Sequence, residues 1–181
     1  MPNFRDIKPC LLKKVVFLLF FASASLVAQD AAAIDSLKQI IKAEKLHDSI
    51  ISTSYASLLR YYKRNNEDSC LVYFDRLKAY ANKNNSDLAY YHYHRLKAGY
   101  VGLFPELNQD KYAFINGNLL EALAYAKNTN DPKRVILTYS RLGQENVRLG
   151  KNEASLAYVQ EGEKIAVAEG LKYAGATAGA L

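Results

Sequence analysis

Three histidines, His47, His92 and His94, are the first residues of this 181-residue chain to weigh for chemistry, because imidazoles can hold zinc. A zinc pair on one helix needs ligands three or four apart, with a carboxylate or thiolate to complete the shell. His92 and His94 are two apart, about 200° around a helix axis, so they point to different faces. Carboxylate pairs fare no better. Glu161 with Glu163, and Glu67 with Asp68, stand at spacings that diverge on a helix, beside Lys164 and Arg64 that make ordinary solvated faces. The stretch GQENVRLG holds no Ser nucleophile, and GATAGA has neither a strand before it nor a Lys after it to make a phosphate loop. No catalytic residue, cofactor or metal is therefore expected, and the chain does not read as an enzyme. What remains is recognition: the planar forks of Arg60, Arg64 and Arg148 suit a carboxylate or an acidic peptide.

The elements that must position such residues are helices. Past residue 30, apolar residues recur three and four apart, as in Ile34, Leu37 and Ile41, and no two-residue alternation lasts long enough for a sheet. Breaks fall at the Asn-rich turn Lys83 to Ser86, at GLFPELNQD with Pro105, and at Gly150 and Gly170, where a left-handed residue can close a last turn. Asp131 before Pro132 is a start signal, since the carboxylate caps and proline lacks only an amide that would have had no partner. Asp48 or Ser49 is expected to cap the second helix. Gly117 costs its helix about 1 kcal/mol against Ala. The reading is all-α, seven helices and a partial eighth.

These helices repeat in pairs. Tyr55, Leu58 and Tyr62 are spaced three and four; Tyr93, Leu96 and Tyr100 repeat the spacing, and Tyr139 and Leu142 begin it again with Asn146 in the second tyrosine's place. On the alternate helices the series Cys70, Phe74, Leu77, Ala81 recurs as Ile115, Leu119, Ala122, Ala126 and as Ser155, Val159, Gly162, Ala166. The pattern resembles the tetratricopeptide (TPR) repeat, a helix hairpin of about 34 residues with an aromatic, Leu and Gly on its first helix and small residues on its second. Tyr139, Leu142, Gly143, Gly150, Ser155 and Gly162 fall at that repeat's offsets, and Gly143 facing small residues would let two backbones approach closely. Departures are visible: the tyrosines are 38 and 46 residues apart, Leu59 and Lys97 stand where Gly143 supplies a small residue, and Asn152 replaces a common aromatic.

The resemblance implies a right-handed α-α superhelix with hairpins near 49–82, 86–128 and 132–169 and an incomplete repeat over 171–181. It further implies a concave face lined by the first helix of each pair. Positions one and five after each tyrosine would then face a ligand: Ala56 with Arg60, His94 with Ala98, and Ser140 with Gln144, followed a turn later by Arg64 and Arg148. The candidate groove is thus Arg60, Arg64, His94, Gln144 and Arg148, and its partner a protein or peptide.

Residues 1–28 read as a secretory signal: Arg5, Lys8, Lys13 and Lys14 precede a 14-residue apolar run ending in small residues, short for a membrane span. A cut after Ala28 leaves residues 29–181 as the repeat domain, exported to the periplasm, with any membrane link made by an uncut leader. The remainder carries 20 basic and 17 acidic residues, interspersed, which is no nucleic-acid footprint. Its one cysteine, Cys70, sits among apolar neighbours and reads as a buried small hydrophobe. GLKYAGATAGAL begins another first-type helix without a polar cap, which suggests self-association there or a longer protein. Such a leader with such repeats also resembles the sensor part of bacterial regulators or histidine kinases.

Overall fold

The computed structural model describes residues 31–43, 45–105 and 110–171. The chain divides into two compact units, one up to Glu44 and one from Lys45 onward. Among described residues the first unit consists of helix α1, residues 31–42. The second holds α2 (Asp48–Asn65), α3 (Glu67–Asn84), α4 (Asp87–Gly99), α5 (Lys111–Asn128), α6 (Pro132–Arg148) and α7 (Asn152–Ala168). Among the described residues there are seven α-helices and no strand, and a short 3-10 helix lies at Val101–Leu103. The leader, and all but the first residue of the incomplete repeat expected over 171–181, lie outside them.

Local chemistry sets the joints. Asn66 alone joins α2 to α3, its side chain accepting from the Ser69 amide at 2.8 Å. Asn85 closes α3 in the left-handed region (φ 48°), and Ser86 caps α4 from the next position. Asp131 accepts from the Lys133 amide at 3.0 Å with proline opening α6, and Gly150 and Gly170 have φ of 69° and 62°. The cap of α2 corrects the sequence reading. His47 takes that role, accepting from the Ser49 amide, and Asp48 lies inside the first turn. Its carboxylate is used elsewhere: Oδ1 accepts from Ser52 at 3.0 Å, from the Tyr80 hydroxyl at 3.0 Å and from Ser86 at 2.7 Å, tying α2, α3 and the start of α4 together.

Within the second unit the helices form hairpins α2/α3, α4/α5 and α6/α7, and α4 packs on α2 and α3 as α6 packs on α5. The recurring tyrosines fill these joins. Tyr62 stacks on Tyr73 at 5.2 Å, Tyr100 meets Phe74 edge-on at 6.1 Å, and Tyr139 lies beside Tyr158 with Lys127 over its ring. In the third repeat Asn146 replaces the second ring, and its buried amide donates to the Leu142 carbonyl and to Asn116 of α5. Gly143 permits close approach, since a Cβ there would meet Val159 Cγ2 at 3.0 Å and the Ser155 carbonyl at 3.5 Å. Where Lys97 holds that position, its ammonium instead lies over Tyr93, Phe104 and Phe114, and the residues after Gly99 supply one of those rings. The arrangement is an all-α superhelix of repeated hairpins.

Candidate partner-binding groove

The first helices of the three hairpins, α2, α4 and α6, share a concavity of about 480 Å³. Helix α2 contributes Arg60, Lys63 and Arg64; α4 contributes Arg95, Leu96, Ala98 and Gly99, followed by Tyr100; α6 contributes Leu137, Ser140, Arg141 and Gln144, with Leu119 of α5 reaching in. Cavities of roughly 300–1,000 Å³ enclose small ligands or short segments rather than whole domains.

Three of the five residues chosen from the sequence, Arg60, Arg64 and Gln144, line this concavity. His94 and Arg148 do not. The His94 ring stacks on Tyr125 at 5.7 Å, shares a hydrogen bond with Asn118 Oδ1 at 3.2 Å, and is held below the usual histidine pKa by burial. It is an inter-helix contact with α5. Arg148 is exposed and spent on Glu145, 3.0 Å away, a buried carboxylate that also takes Arg141 at 2.8 Å. Of the residues paired with these, Ala98 and Ser140 line the groove, whereas Ala56 is fully buried.

Residues the sequence reading passed over are Lys63, Arg95, Arg141, Leu137 and Tyr100. For Arg95 and Arg141 the signal was present. A helix face recurs at i, i+3, i+4 and i+7, so the second position after each tyrosine neighbours the fifth, and Arg95 and Arg141 occupy it. The sequence reading took the first and fifth positions and, a turn later, Arg64 and Arg148.

Charge in the groove is one-sided. Burial raises the Tyr100 pKa, while the nearby guanidiniums of Arg60, Arg64 and Arg95 pull it down, so all three arginines bear on one phenol. Behind the groove, His92 is buried with no hydrogen-bond partner at either nitrogen. Burial, with Arg60, Arg134 and Arg95 adding to it, pushes its pKa down to about 3. Cys70, fully buried, donates its thiol to the Leu59 carbonyl at 3.5 Å, and burial pushes its pKa to about 11, which leaves it inert at neutral pH. Among the described residues no group of three or more His, Cys, Asp or Glu could hold a metal ion.

No protein-family model matches the chain, and no curated protein matches it. The fold is similar to a solved structure of a signal transduction ATPase with numerous domains (STAND) that carries a tetratricopeptide repeat sensor, from Pyrococcus horikoshii. The TM-score is 0.59 at 22% identity over 84% of this chain. The chain spans 23% of that protein's length. The likeness is one of fold, a TPR-like helical repeat.

Proposed function

We propose that the chain is a non-enzymatic scaffold that binds a protein or peptide partner in the groove of α2, α4 and α6, outside the cytoplasm. The observation that carries this reading is the groove itself: one shared concavity, open to solvent, built from the first helix of three successive hairpins. Stacked hairpins of this kind present an extended concave surface suited to a chain segment. The exported location rests on residues 1–28, whose basic start and apolar run have the form of a secretory signal.

A displayed random-peptide library panned against residues 29–181 tests the binding reading. Peptides that bind the wild type and lose binding to Arg60→Gln/Arg95→Gln are the expected result. A library yielding no binder, or binders indifferent to that double variant, would contradict it. Fractionation of cells producing the full chain tests location, the expected product being extracytoplasmic and shortened near Ala28.

One observation favours a second reading, that this is the sensor region of a longer signalling protein: the similar solved structure is described as a signal transduction protein with a repeat sensor. Reading the coding region past Leu181 distinguishes the two, since a membrane helix and an effector domain belong only to the second.

A further inference from the structure

Among the described residues five cations line the groove, Arg60, Lys63, Arg64, Arg95 and Arg141, and no Asp or Glu does. Two of them are answered from its edge: Lys63 by Glu67 at 3.2 Å and Arg141 by Glu145 at 2.8 Å. Arg60, Arg64 and Arg95 make no ion pair or hydrogen bond with any described residue. Arg60 and Arg64 are one helical turn apart, where like charges repel, and Arg95 faces them from α4. Three guanidiniums without an acidic partner among the described residues converge near one half-buried phenol, an arrangement complementary to an anion. Between the charges the lining also presents an exposed apolar side chain, Leu137, above the buried Leu96, Ala98 and Leu119. A bare inorganic anion would leave that surface uncovered. A nucleic acid would leave it equally unused, and interspersed acidic residues elsewhere in the chain give it no long basic track.

We propose that the groove takes a short acidic peptide whose carboxylates sit on Arg60, Arg64 and Arg95 while an interleaved apolar side chain lies on Leu137, the exposed leucine of the lining. This rests on the scaffold reading above and specifies its partner's chemistry. Each guanidinium can take a carboxylate through two parallel N–H donors, which fixes the segment's register as well as attracting it.

The test is fluorescence anisotropy with the full chain and a labelled short peptide alternating Glu and Leu, beside matched peptides carrying Gln or phosphoserine in place of Glu. Binding of the Glu/Leu peptide is expected to exceed that of the Gln/Leu peptide by about tenfold and to weaken as salt rises. Arg60→Gln/Arg95→Gln, shown folded by its circular dichroism melt, should lose about tenfold, and Lys133→Gln, exposed and outside the groove, should lose nothing. Equal binding of the Gln/Leu peptide to wild type and double variant overturns the acidic assignment and leaves the scaffold standing. The assignment also falls if the Glu/Leu peptide fails to bind, if only the phosphoserine peptide binds, if inorganic phosphate displaces the peptide at equal charge, or if an oligothymidylate binds more tightly. Peptide binders recovered by panning separate those outcomes from failure of the scaffold itself.

Discussion

His92 carries two nitrogens into the interior and pairs neither of them. A buried unsatisfied polar group costs about 1–3 kcal/mol, and Arg60, Arg95 and Arg134 add a positive potential that only Asp48 opposes. The folded pKa, about 3, lies below the ordinary 6.5, so on acidification the unfolded chain binds the proton first. Stability is whole above 6.5 and falls as pH drops from there toward 3. Urea unfolding across that window should therefore show the wild type losing stability with acid. His92→Leu should be flatter and at least as stable at neutral pH. A variant with the same slope as the wild type would remove His92 from the cause. Gly143 gives a second prediction. Gly143→Ala should be near neutral, because a helix propensity gain of about 1 kcal/mol offsets the small shift of the Val159 methyl. Gly143→Leu should cost roughly 1–3 kcal/mol by overpacking, and a thermal melt equal to the wild type would refute the close approach. Gly143 was legible because a small residue facing small residues has a geometric meaning in sequence. His92 was not, since its burial depends on how α4 is clasped by its neighbours, and nothing in its own spacing shows that.

At the scale of elements, the capping chemistry does more than end helices. Ser86 caps α4 through the Ala89 amide at 2.9 Å and gives its own proton to Asp48, so the start of one hairpin is fastened to the start of the previous one. Removing the acceptor in Asp48→Ala strands three hydroxyls and should cost about 2–4 kcal/mol. Asp48→Asn, which keeps an oxygen there, should cost less. Equal costs in chemical denaturation would show that the three bonds carry little. Boundaries punctuated by Asp131-Pro132, Asn85 and Gly150 were legible because one residue's backbone preference decides each. Asp48 was misread as a cap because its partners, Tyr80 and Ser86, lie more than 30 positions away in sequence. Lys97 shows a related limit. Its departure from a small residue was plain, but the aromatic enclosure that receives it is assembled from α4, α5 and the segment between them.

Across the whole second unit, each hairpin buries its apolar face against the next, as Leu88, Tyr91, Leu119, Leu123, Val135 and Tyr139 do in one cluster. Stability in such arrays is a sum over units and their interfaces. A chain ending before Pro132 should therefore lose cooperativity and melt well below the full chain, with amide exchange in α5 accelerated first. The repeat was readable because tyrosine spacing recurs despite unequal intervals. The contents of the groove were only half readable, since the shared face is fixed by periodicity but the residues along it that enter the concavity depend on where three helices converge. Hydrogen–deuterium exchange of the full chain, with and without a bound peptide recovered by panning, tests the central claim most directly. The account predicts slowed exchange over the groove-lining parts of α2, α4 and α6, with the outer faces of α3 and α7 unchanged. Protection centred on α3 or α7, or none on α4, would contradict it.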